Sequence, residues 1–250
     1  MKVQKSTEIV IEKMDVGVCS FWIKGLTPLI YNSMSAKATH ELLFPKGKKT
    51  SAERNQCMKH EPEEEYRNSV YVHSPEGKND ATKLCFPAGG IKKAISSAAL
   101  EVPGAKKAQI GRLVWVDGRN VPVYGVPKLF MSVVRSADMN KTPDVRTRAL
   151  LPEWCCCVTV KFVKPTMNPT ALSLLLETAG LVIGIGDFRQ EKGAGNYGQF
   201  SIVDEAECAD IIKVGGKAAQ VAALKNPEPF DDESEKLLTW FNEERKIRGK

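Results

Sequence analysis

Residues 184–200 read GIGDFRQEKGAGNYGQF, with five glycines, one arginine, one lysine and two acids. They lie between a leucine-rich segment, NPTALSLLLETAGLVI (168–183), and a strand-like run, QFSIV (199–203). Glycines gather where the backbone needs positive φ or where something approaches it closely, so the stretch serves either a ligand or a neighbouring strand. The order of the flanking elements narrows the choice. Asn168 is a capping residue, Pro169 suits a first helical position, and Leu172, Leu175 and Leu176 share one helical face. The loop therefore follows a helix and precedes a strand. A P-loop or dinucleotide-binding turn needs the opposite order, because the amides of the helix N-terminus must point at the phosphates.

A helix–loop–strand turn can still hold a phosphodiester backbone. Successive amides form an anion-binding concavity, Arg189 and Lys192 add charge, and Phe188 and Tyr197 offer rings for bases. The competing reading is that Gly193, Gly195 and Gly198 only permit bends, while Phe188, Tyr197 and Phe200 pack inward. Residue chemistry leaves both open.

Upstream, DVGVCSFWIKGLTPLIYN (15–32) reads as a core strand broken at Gly25 and Pro28, and SAKATHELLF (35–44) as a helix capped by Ser35. Residues 45–68 form a charged excursion, PKGKKTSAERNQ and then EPEEEYR. In FPAGGIKKAISSAAL (86–100), Pro87 opens a helix whose apolar stripe is Ile91, Ala94, Ile95, Ala98 and Ala99, with Lys92 and Lys93 off the stripe. GRLVWVDGRNVPVYG (111–125) reads as a hairpin turning at DGRN, and residues 132–152 as a second polar excursion before the strand CCCVTVKFV (155–163). Strands and helices alternate around two long insertions, which predicts an α+β fold with a mainly antiparallel sheet. The expected division is a body over residues 1–203 and an acidic C-terminal extension over 204–250, a linker ending in an amphipathic helix.

The 250 residues carry a formal charge of +6, unevenly placed. Residues 204–250 hold eleven acids against eight Lys and Arg, so about +9 falls on the first 203 residues by difference. A basic body with an acidic end suggests a polyanion-binding surface. No apolar run reaches the roughly 18–20 residues of a membrane helix, and MKVQKSTEIVIEKMD lacks an uninterrupted apolar signal segment. Seven cysteines, three of them consecutive at Cys155–Cys157, fit no disulfide framework and no metal spacing. The expectation is a cytoplasmic protein with reduced thiols, no membrane partner, no metal and no cofactor. His40, His60 and His73 lie in polar segments without metal-ligand spacing, and no catalytic residue is assigned.

IKGLTPLIYNSMSAKA, FPAGGIKKAISSAA and PEWCCCVTVKF, together with AGLVIGIGDFRQEKGAGNYGQFSIV, resemble a group of bacteriophage proteins over about residues 18–203. Their glycine-rich loop is similar to that of the RAMP superfamily, which includes the crRNA-binding backbone subunits of CRISPR effector complexes. The resemblance implies a ferredoxin-like, RRM-related core, βαββαβ, with an antiparallel sheet and two long insertions that form a thumb and fingers. It implies a non-enzymatic protein that binds single-stranded DNA or RNA and stacks head to tail along it, in a bacterial host cell if phage-encoded. By position, Gly184, Gly186, Arg189, Lys192, Gly193, Gly195 and Gly198 match the loop that holds the nucleic acid, and Lys92, Lys93 and Tyr197 join the site. Lys46, Lys48, Lys49 and Arg54 of the first insertion, with Arg135, Lys141, Arg146 and Arg148 of the second, would embrace the strand or a neighbouring copy. Glu191 within the loop and the acidic end depart from the family. Two other functions stay open under the resemblance: a RAMP-type endoribonuclease using His40 or Tyr31, and a phage protein that jams a host CRISPR complex by direct contact.

Overall fold

The cysteine triplet opens the longest strand pairing in the molecule. In the computed structural model, which describes residues 13–34, 39, 42–44, 60–73, 77, 80–135, 143–192 and 195–248, Cys155–Lys164 (β8) runs antiparallel to Asp15–Gly25 (β1). Ile23 faces Cys156 and Phe21 faces Val158 on one side of the sheet, while Val18 faces Lys161 on the other. This alternation follows from the two-residue period of a strand. Val114–Val116 (β4) pairs with the outer edge of β8, and Phe200–Val203 (β9) with the other edge of β1. The result is a four-stranded antiparallel sheet of order β4–β8–β1–β9.

Two helices cover the inner face. Ala88–Ala98 (α2) and Pro169–Thr178 (α4) place Ile91, Ile95, Leu172 and Leu176 in one buried cluster with Ile23, Val158, Val160 and Phe162. The Asn168 side chain caps α4 by accepting from the Ala171 amide at 2.8 Å, as its sequence predicts. Pro87, expected to open this helix, stands just ahead of it as its N-cap in an extended conformation, and α2 begins at Ala88.

The insertions build further structure on this frame. β1 stops at Gly25, and the chain resumes as Leu29–Ile30 (β2), in agreement with the break expected at Gly25 and Pro28. Pro62–Asn68 (α1) comes from the first excursion, while residues 45–59, and Ser35 of the expected helix, lie outside the described residues. Cys85–Pro87 (β3) leads directly into α2, and Lys107–Leu113 (α3) leads into β4. The expected hairpin at DGRN does not form. The chain turns there, with Gly118 at φ +75°, but Asn120–Pro122 (β5) pairs with β3 rather than with β4. The second excursion is also more regular than its polarity suggests. Lys128–Arg135 (β6) and Pro143–Leu151 (β7) are paired strands, and with β2 they make a three-stranded sheet.

Residues 204–250 are not a linker with one helix. Glu205–Val214 (α5), Lys217–Lys225 (α6) and Asp232–Ile247 (α7) follow one another and pack on the body. Cys208 and Ile211 of α5 close over Cys155 on the outer sheet face, and α7 packs against β6. The fully buried Gln220 of α6 pins the extension. Its carbonyl accepts from the amides of Lys83 and Leu84 at 2.8 and 2.9 Å, and its amide group donates to the carbonyls of Val123, Gly125 and Gly215. Among the described residues no helix is long and apolar enough to cross a membrane.

Candidate nucleic-acid interface

A cleft of about 300 Å³ opens between the first turns of α2 and the glycine-rich loop. Gly90 and Lys93 line it from the helix, Tyr71 and Phe86 from the segments before it, and Gly184, Gly186, Asp187, Arg189 and Glu191 from the loop. The α2 end of the cleft carries unbalanced positive character. Its first turn has no acidic residue and no capping side chain, and the Ala88 amide is taken by the Arg119 carbonyl. The next amides, those of Gly89 and Gly90, have no partner within a helix and must be satisfied from outside it. Lys93 is exposed and Lys92 half-buried beside it, in keeping with their place off the apolar stripe.

On the loop side, the π-helical turn Ala179–Ile183 extends α4 and ends at Gly184, where φ is +71°. Gly186, at φ +84°, comes close to the Ile30 carbonyl. A Cβ on Gly195 would collide with the Phe188 carbonyl, and one on Gly198, at φ +73°, with the Ile185 carbonyl. The loop thus folds back on itself, and contact within the protein accounts for these glycines. Gly193 lies outside the described residues. The rings also have partners: Phe200 is fully buried, and Phe188 and Tyr197 pack against Ile30, Phe130 and Leu150. Phe188 holds φ at +49°, a conformation that costs a bulky residue about 1–3 kcal/mol and persists only where packing over-determines it.

Arg189, one of the two loop cations, is engaged. Arg189 donates to the Gly186 carbonyl at 3.0 Å and to the Glu191 carboxylate at 2.8 Å. Partial burial pushes the Glu191 carboxyl up, but the hydrogen bond and charge of Arg189, with Lys107 adding to them, hold it below its ordinary value. Lys192 is exposed. Lys107, at the start of α3, therefore belongs to this basic margin, although it has no motif to mark it in the sequence.

Arg148 occupies a different place from the one expected. It is buried, pairs with Asp187, and lies 5.5 Å over the Phe188 ring. Burial, then repulsion from Arg146, lowers its guanidinium to about 10, which leaves it charged at neutral pH. Arg148 ties β7 to the loop instead of reaching into solvent. Arg146 and Arg135 are exposed, while Lys46, Lys48, Lys49, Arg54 and Lys141 lie outside the described residues.

Tyr31 is fully buried, and burial, followed by the neighbouring Cys85 and Cys156 thiols, raises its hydroxyl well above its ordinary value. His40 is outside the described residues. Both ring nitrogens of His60 are taken by carboxylates, Nδ1 by Glu65 at 3.0 Å and Nε2 by Asp144 at 3.1 Å. Among the described residues no group of three His, Cys, Asp or Glu side chains is placed to hold a metal ion.

No protein-family model matches the chain, and no curated protein resembles it significantly in sequence.

Proposed function

We propose that this protein binds single-stranded nucleic acid without cleaving it, laying the phosphodiester backbone along the cleft between α2 and the glycine-rich loop. The observation that carries the reading is the meeting, on one open cleft, of the first turn of α2, which has no capping side chain and no acid, with Lys93 and Arg189 in the lining and Lys107 close enough to act on Glu191. Backbone amides and a lysine at a helix start suit a phosphate, and the half-buried Tyr71 ring in the lining offers an apolar contact to a base or sugar. The element order β1–α2–β4–β8–α4–β9 with sheet order β4–β8–β1–β9 supports a ferredoxin-like, RRM-related core of RAMP type, with the β2–β7–β6 sheet and α1 as its insertions. On that reading the protein resembles a backbone subunit, and copies line up head to tail on one strand.

The test is a titration of labelled single-stranded oligonucleotides with the full chain at two salt concentrations. Affinity is expected to fall steeply with salt, because phosphate contacts release counterions. Salt-insensitive binding, or none, sinks the proposal. Electron microscopy with and without a long single strand tests the assembly, with ordered filaments expected only when the strand is present.

A further inference from the structure

We propose that a second cavity, behind the Arg148–Asp187 pair, is a base-reading subsite for the same strand. The inference rests on the reading of the α2–loop cleft as the backbone track. The second cavity measures about 510 Å³ and lies between residues 32–34, the end of α1 and β7. The two cavities are neighbours: Asn32 lines both, Arg148 lines one and Asp187 the other, so their ion pair forms the partition. A strand leaving the cleft at Asn32 meets this cavity next.

The chemistry of the walls selects a base over a phosphate. The Ser33 amide donates to the Ser69 carbonyl at 2.7 Å, which brings Asn32 beside Asn68. The side chains of Asn32, Asn68 and Arg146 all line the cavity and make no hydrogen bond or ion pair among the described residues. Each carboxamide presents a donor and an acceptor at fixed spacing, which matches a base edge, whereas a phosphate uses donors alone. Glu65 and Asp144 stand in the same wall, clasping His60 between them. The clasp also spans α1 and β7, so it holds the two sides of the cavity together.

Fluorescence anisotropy with the full chain and homo-oligomers of each base, as DNA and as RNA, tests the subsite and separates the two sugars. The wild type is expected to prefer one base by on the order of tenfold. Asn32→Ala and Asn68→Ala should flatten that preference while leaving the salt slope unchanged, because phosphate contacts are untouched. Asn68→Asp keeps the side-chain shape and should flatten it too, with circular dichroism confirming the fold. Equal binding of all bases by the wild type, or a preference that survives the substitutions, overturns the subsite alone. Failure of the wild type to bind any oligomer removes the backbone track, and the subsite with it.

Discussion

The glycine-rich loop and the first turns of α2 face each other across one cleft, and they are built to opposite ends. In the loop, most charge is spent within the protein: Asp187 pairs with Arg148 of β7 and Arg189 with Glu191, and Lys192 alone is exposed among the loop's described cations. In α2 it is left open, with no acid and no cap in the first turn and Lys92 and Lys93 off the buried stripe. The glycines differ in the same sense. A Cβ on Gly198 meets the Ile185 carbonyl, whereas one on Gly89 meets nothing within 4 Å. Glycine richness in the loop thus reports a backbone folded tightly on itself, and the groups available to a ligand sit mainly on the helix opposite. The loop shapes the cleft and α2 supplies most of its free charge.

The sharpest way to break this contrast is the matched pair Gly198→Ala and Gly89→Ala. The first forces a side chain into positive φ against a carbonyl and is expected to cost about 3 kcal/mol or more. The second places alanine in open helix and should be neutral or stabilise by about 0.5–1 kcal/mol. Urea denaturation of both variants reads the difference. Similar stabilities would mean that the loop glycines answer to something other than internal packing.

Next in size is the binding effect of charge on α2. Lys92→Ala with Lys93→Ala should weaken oligonucleotide binding and lower the log–log salt slope by about 1.4, the value for two phosphate contacts on a single strand. Arg189→Ala should act less on affinity and more on loop order, since its partners are Gly186 and Glu191. The reverse ranking would return the principal charge to the loop.

How much of this was readable from sequence depends on whether the signal was local. The Asn168 cap, the α2 stripe and the Gly25 break are decided within a few residues, and the structure carries all three. The DGRN turn is also present, but a turn does not specify partners, and β4 and β5 go to different sheets because β8 and β3 offer better-placed edges. The β6–β7 hairpin was hidden by its polar alternation and Pro143. Arg148 read as a surface cation because its partner, Asp187, lies far along the chain. Gln220 gave no warning at all, as one polar residue in an alanine-rich helix, and yet it fixes residues 204–250 to the body. Asn32 and Asn68 likewise come to one cavity through long-range contacts such as the pairing of Ser33 with Ser69.

The strand that feeds α2 yields a smaller effect, in pH. Burial raises the Cys85 thiol to about 11, against about 8.5 in an unfolded chain. Between those values the unfolded state has lost its proton while the folded state keeps it, so stability is full below about pH 8.5 and falls as pH rises towards 11. Burial also raises Cys155 and Cys156, so the same window covers the sheet beneath. Thermal melts across this range should show the decline, and Cys85→Ala should remove part of it. A flat profile would mean that the thiols meet solvent.

The smallest expected effect discriminates most finely between the two sides of the cleft. Glu191 holds Arg189 in the loop, and Arg189 in turn helps keep that carboxyl below its ordinary value. Glu191→Gln keeps the side-chain length and a hydrogen-bond acceptor but removes the opposing charge, so the Arg189 guanidinium gains freedom to meet a phosphate. Exposed pairs are worth up to about 1 kcal/mol, which sets the expected gain at roughly two- to fivefold in affinity at low salt, fading as salt rises. Weaker binding would show that Glu191 aligns the loop for its ligand, so that the ion pair is part of the binding surface and the loop is more than a support for the charge on α2.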